Sequence, residues 1–177
     1  MLQLKHMSIL PILTYPHPIL DQIAQPVAFP LSQEDKKLIQ DMWHTVEDQG
    51  VGLAAPQVGC GKKICIITLD PEMIPKKLKI KNHFAMINPE IIFASEVNCA
   101  IIEGCLSFPE QYYKINRPSN ITVRFQNEKG KTEEIKATGW LSRVIQHEVD
   151  HLNGKLFINI GGQKIHREDI GGREVVD

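Results

Sequence analysis

Hydrophobic and polar positions change period several times along this chain, and each change predicts an element. From residue 32 to about 49 the apolar positions Leu38, Ile39, Met42, Trp43 and Val46 recur at helical spacing behind a capping Ser32. Residues 63–69 are a short apolar run bounded by turn formers and read as a strand, whereas the lysine-rich, proline-bounded stretch 71–81 reads as a loop. Further strands are predicted at 84–93 and 97–102. Residues 120–126 and 131–137 alternate around Asn127-Glu128-Lys129-Gly130, a hairpin pattern. Helical spacing returns over 140–152, with Leu141, Val144 and Ile145 facing inward and Asn153-Gly154 as the stop. Tyr15-Pro16-His17-Pro18 reads as an extended entry, 155–160 as a returning strand, and 161–177 as a polar, glycine-interrupted tail. Short strands around one buried helix predict an α+β fold, antiparallel or mixed sheets packed on that central helix in a single compact domain spanning 1–177.

Composition narrows the class of partner. The chain has 177 residues, 42% of them hydrophobic and 23% charged, enough for one sizeable core. Its net charge of −1 gives no electrostatic case for nucleic acid or a membrane surface. The apolar stretch near the start, residues 8–13, is short and holds Pro11, so it predicts neither a signal peptide nor a span. A cytoplasmic location is expected, and four cysteines without framework spacing agree with a reducing compartment.

Chemistry concentrates on the second helix, in Gln146-His147-Glu148-Val149-Asp150-His151. H-E-x-x-H sets two imidazoles one turn apart for a divalent ion, with a carboxylate beside them that can move a proton between water and a leaving amine. The chemistry implied is hydrolysis of an amide-like bond. A catalytic ion needs a third protein ligand. The H-E-x-x-H-x-x-G-x-x-H pattern is followed as far as Gly154 but ends on Phe157, which cannot ligate, and Glu168 and Asp169 sit in the polar tail with no apolar stripe to hold them rigid. Among Cys60, Cys65, Cys99 and Cys105, only Cys105 lies in a segment built for a site, Glu103-Gly104-Cys105-Leu106-Ser107.

Plainer readings cover the remaining candidates. Cys65 and Cys99 read as small buried hydrophobes, and Cys60, between Gly59 and Gly61, as a loop thiol. Asp150 points elsewhere on its helix, so a solvated or supporting role is expected. His6, His17, His44, His83 and His166 lack partners at ligand spacing and read as structural or surface residues. Gly50-Val51-Gly52 alone would be only a turn.

Three separated motifs together resemble one family, peptide deformylase: Gly50-Val51-Gly52-Leu53-Ala54-Ala55-Pro56-Gln57, then Glu103-Gly104-Cys105-Leu106-Ser107, then Gln146 to Leu152. The resemblance runs from about residue 11 to 160. It implies removal of the formyl group from the starting methionine of nascent chains, with Cys105, His147 and His151 holding one ion and Glu148 as acid/base. It also implies that Gln57 and the Leu106 backbone N–H polarise the formyl oxygen, while Gly50, Val51, Gly52 and Gly104 line the substrate. Ferrous iron is the ion implied, with zinc or nickel as substitutes. N-formyl-Met nascent peptides are the expected partners, and ribosome docking is not implied by the tail, which lacks the terminal helix of many members. Glycines at 50 and 52 would allow close backbone approach to substrate. A metallopeptidase cutting internal bonds is the alternative. The chain departs from the family's habit at His17, Asp21, Tyr112 and Phe108, and Met7-Ser8-Ile9-Leu10 is similar to a family N-terminus, which would make residues 1–6 an upstream extension.

Overall fold

A computed structural model describes residues 8–47, 49–74, 76, 78, 80–171 and 175. The expected extension 1–6, His6 and the start at Met7 lie outside the described residues, as do parts of the 71–81 loop and of the tail.

Helix α1 (Gln33–Val46) begins where the capping chemistry requires. Ser32 Oγ accepts the Asp35 N–H at 3.1 Å, and the Asp35 carboxylate accepts the Ser32 N–H at 3.2 Å, so two orphan donors are satisfied reciprocally. The helix stops short of the expected residue 49. Glu47 leaves helical dihedrals, and the Gly50 N–H closes back on Val46 O at 3.3 Å, which turns the chain into the first strand.

Among the described residues eight strands follow: β1 (Gly52–Ala54), β2 (Ile64–Thr68), β3 (His83–Ala94), β4 (Asn98–Glu103), β5 (Tyr112–Pro118), β6 (Asn120–Gln126), β7 (Thr132–Thr138) and β8 (Gln163–Ile165). They form a five-stranded sheet in the order β1-β2-β3-β6-β7 and a three-stranded sheet in the order β4-β5-β8. Every ladder is antiparallel, so neither sheet is mixed. The larger sheet is covered on both faces, which explains the unbroken apolar run of β2. Ile64 and Ile66 pack with Ile39, Met42 and Val46 of α1, whereas Cys65 and Ile67 pack with Leu141, Val144, Ile145 and Val149 of helix α2 (Gly139–Leu152).

Three expectations require correction. Residues 155–160 make a 3-10 turn (Phe157–Asn159) rather than a strand, because Leu156 and Phe157 both bury in a third cluster with Leu20, Cys105, Phe108 and Ile115. An alternating strand would have sent one of them to solvent. The stretch after residue 161 is no mere tail: β8 pairs with β5, and a short helix α3 (Arg167–Ile170) follows it. Cys99 is exposed on β4, the outer strand of its sheet, rather than buried. Within the entry at residues 15–18, His17 is extended and caps a 3-10 turn at Pro18–Asp21.

No helix among the described residues is long and apolar enough to cross a membrane. Gly154 ends α2 in the left-handed region at φ +65°, and a Cβ there would stand 2.6 Å from the Asp21 carbonyl oxygen. Gly154→Ala should therefore destabilise by about 2 kcal/mol or more, combining a strained dihedral with a backbone overlap. Urea unfolding measures this, and a loss below about 0.5 kcal/mol would contradict the assigned packing.

Candidate active site

Helix α2 carries two kinds of face. Its apolar residues meet the large sheet, while Arg143, His147, Asp150 and His151 recur at three- and four-residue spacing toward the small one. Strand β4 runs directly into Gly104 and Cys105, so the helix and the strand end deliver three donors to one point. Donor atoms of Cys105, His147 and His151 lie within 4.8 Å of one another, all buried. Cys105 Sγ is 3.3 Å from His151 Nε2. Ligand atoms sharing a tetrahedral ion stand about 3–4 Å apart, so one thiolate and two imidazoles fit a divalent metal here.

His147 is held from behind. Its Nδ1 lies 3.0 Å from the Glu103 carboxylate, which leaves Nε2 for an ion. Glu103, at zero exposure, also accepts from Arg117 Nε and Nη2 at 2.7 and 2.9 Å and from Arg143 Nη1 at 2.8 Å. Arg117 continues to Asp150. Burial opposes a charge on Glu103, but the bonds from His147 and Arg117 outweigh it and hold the carboxyl far below its ordinary value. His151 has no such support, its Nδ1 lacking a partner among the described residues. Burial and the neighbouring His147 charge push His151 down, so it stays neutral, the form a metal takes.

Glu148 is buried with Oε2 unpartnered, and burial pushes its carboxyl up to about 7. A buried oxygen without a hydrogen bond is costly and rare outside functional sites. Gly52 makes room for it: a Cβ at that position would fall 2.5 Å from Glu148 Oε1. Clearance for Glu148 is thus a reason for this glycine in addition to the expected approach to substrate. Gly50 closes the α1 terminus.

Gln57 is oriented by its surroundings. Ala54 N–H donates to Gln57 Oε1 at 2.8 Å, and since an amide N–H can only donate, the carboxamide must turn its NH2 the other way. That NH2 lies 3.3 Å from Ser107 Oγ and 3.6 Å from Cys105 Sγ. Leu106 is half-buried between Cys105 and Ser107, Gly104 is buried, and Val51 is half-buried beside Gly52. The other described histidines stay out: His17, His83 and His166 are exposed, and His44 faces Glu47. Elsewhere a groove of about 900 Å³, lined in part by Trp43, His83 and Phe125, holds none of Gln57, Cys105, His147, Glu148 and His151.

Sequence reasoning quoted Glu103 and Ser107 within a motif without giving them work, and it passed over Arg117 and Arg143. Glu103 carried a signal, an acid two residues before a candidate ligand. The arginines carried none, since an isolated basic residue is ordinarily at the surface. Two departures from family habit find physical places. Phe108 stacks on Tyr15 at 5.2 Å and meets the edge of Phe157, whose ring lies 5.7 Å from that of His147, and Tyr112 pairs across β5 with Ile165.

The polypeptide deformylase model matches residues 9–164. The chain belongs to the polypeptide deformylase family. It is 43% identical over 154 residues to peptide deformylase 1 of Rickettsia conorii, covering 86% of this chain and 87% of that one. Solved deformylases superpose on it as well. The Ehrlichia chaffeensis peptide deformylase in complex with actinonin gives a TM-score of 0.80 at 38% identity, covering 88% and 90% of the two chains. The Met-Ala-Ser-bound class I type b peptide deformylase of Acinetobacter baumannii gives 0.79 at 34%, covering 88% and 100%. The chain is thus a metal-dependent hydrolase that removes the formyl group from nascent peptides.

Gly52→Ala tests the geometry. The added methyl should force Glu148 aside while leaving the three ligands in place, so kcat should fall about 100-fold or more with metal content unchanged. Unaltered turnover would separate Gly52 from Glu148.

Proposed function

We propose that Cys105, His147 and His151 hold a single ferrous ion, with zinc or nickel as substitutes, and that Glu148, Gln57 and the Leu106 N–H carry deformylation of N-formyl-methionyl peptides. Met-Ala-Ser bound to the Acinetobacter relative supports a substrate of that kind. A divalent ion in this donor set supplies a Lewis acid and brings the pKa of water down toward 7.

The remaining chemistry falls to side chains. Glu148 takes a proton as water oxygen bonds to the formyl carbon, and it returns that proton to the nitrogen as the C–N bond breaks. Formic acid, which ionises to formate in water, and a free α-amino group leave. Negative charge gathering on the formyl oxygen is met by two donors, the Gln57 NH2 and the Leu106 N–H. Gly50, Val51, Gly52 and Gly104 line the approach. The reaction belongs in the cytoplasm, where nascent chains emerge.

One observation carries this reading above cleavage of internal bonds. Cys105, Gln57, His147, Glu148 and His151 are each 5% exposed or less, so the reacting bond has to enter as a chain terminus. Cutting within a polypeptide needs a cleft open on both sides of that bond.

Glu148→Gln keeps the shape and removes the base, so it should retain metal while kcat falls by about 100-fold or more. In the wild type kcat/KM should drop as pH falls, because the working form of Glu148 is the carboxylate. Burial, working against the charges of His147 and Arg117, raises that carboxyl to about 7, and a cation beside it would pull the limb lower. A Glu148→Gln variant with ordinary turnover, or an acid limb that survives in it, would remove Glu148 from this role.

Substrate choice follows from the confined entrance. Formyl carries hydrogen where acetyl carries methyl, and a charged first side chain would be buried without a partner at a cost of several kcal/mol. Formyl-Met-Ala-Ser should therefore be hydrolysed at least about 100-fold better, by kcat/KM, than acetyl-Met-Ala-Ser or formyl-Asp-Ala-Ser. Equal values for the formyl and acetyl peptides would exclude the assignment.

A further inference from the structure

We infer that Arg143 is a positioning residue for the metal site, setting the distance between the helix that supplies two ligands and the sheet that supplies the third. Arg143 stands one turn before His147 and is buried. Its guanidinium makes three attachments on the far side of the gap. Nη1 donates to Glu103 Oε1 at 2.8 Å and to the Ile115 carbonyl at 3.1 Å, and Nη2 donates to the Cys99 carbonyl. Cys99 lies on β4 and Ile115 on β5, so one side chain grips both strands of a ladder whose first strand ends two residues before Cys105.

Arg117 does a different job. It already meets Glu103 through two nitrogens and continues to Asp150, so it satisfies the carboxylate's charge. Arg143 adds what Arg117 lacks, direct bonds from α2 to backbone of the small sheet. Those bonds fix where His147 and His151 stand relative to Cys105. Lysine in place of Arg143 would keep the positive charge but could not span a carboxylate and two carbonyls in one planar fork.

The inference rests on the metal-site reading above, and the test separates the two by using metal ions without substrate as probes, cobalt(II) first. Arg143→Lys and Arg143→Met should each weaken cobalt(II) affinity about 10–100-fold and shift the visible d–d bands of the bound ion, the range seen when a ligand's supporting partner is lost. With the site filled at saturating metal, kcat should fall more than KM rises. Thermal melting of the same samples reports any general loss of stability. A merely structural role would lower Tm and leave the cobalt spectrum as in wild type, and that result overturns the inference. If the wild-type protein shows no cobalt absorption of a thiolate-ligated ion, the ligand assignment fails first. Should both variants fail to fold, the wild type decides: the Arg143 guanidinium NMR resonance should move on zinc addition while that of Arg124, paired with Glu134 on the surface, should not. An unmoved Arg143 resonance overturns the inference as well.

Discussion

A carboxylate with no solvent exposure, Glu103, is the constraint that orders this structure. Alone in the interior it would cost more than the fold can supply, and one cation beside it would leave the remaining oxygen lone pairs unmet. Here two guanidiniums and an imidazole N–H meet both oxygens, and Asp150 answers the second positive charge, so two acids face two arginines. The set closes only when β4, β5 and α2 are all in place. Satisfying one buried charge thereby brings the end of β4, with Cys105, against the two histidines of α2.

Around that polar seam the packing is apolar and conventional. The large sheet has α1 on one face and α2 on the other, which lets β2 be apolar throughout and keeps α2 from sliding. Rigidity in α2 is what a three-ligand site needs, because a donor misplaced by a fraction of an ångström no longer shares an ion. Among the described residues the unpartnered oxygen of Glu148 is, with His151 Nδ1, an exception to an otherwise satisfied set of buried side-chain polar atoms. It persists because Gly52 gives it space and because the packing of α2 on the sheet over-determines its backbone.

What could be read from the sequence was whatever repeats with a period. Both long helices, the β6–β7 hairpin and the α+β class follow from apolar spacing, and the H-E-x-x-H pattern with Cys105 marked the donors that the fold brings together. Strand β5 was not legible, for a physical reason: its inward positions are Ile115 and Arg117, and an inward arginine breaks the apolar alternation that announces a strand. Strand β8 is three residues at a sheet edge, held by main-chain bonds that any sequence can make. Residues 155–160 misled in the other direction, their apolar density belonging to a core plug. Cys99 looked buried because it adjoins apolar residues, but an outer strand leaves one side open.

The two histidines are not equivalent, and the asymmetry bears on how the site fills. Burial works against a charged imidazole at His147, yet Cys105 and Glu103 beside it win and raise its pKa, so without metal that ring keeps a proton. His151, lacking any partner on Nδ1 among the described residues, is already neutral. An incoming cation must therefore displace a proton from His147 and compete with none at His151. Glu103 serves both states. It holds the Nδ1 proton when the ring is neutral and stabilises the imidazolium when it is not, which keeps the ring in one orientation whether or not the ion is there. A proton that takes the ion's place enters at Nε2 while Nδ1 keeps its bond to Glu103, so the ring stays where the site needs it.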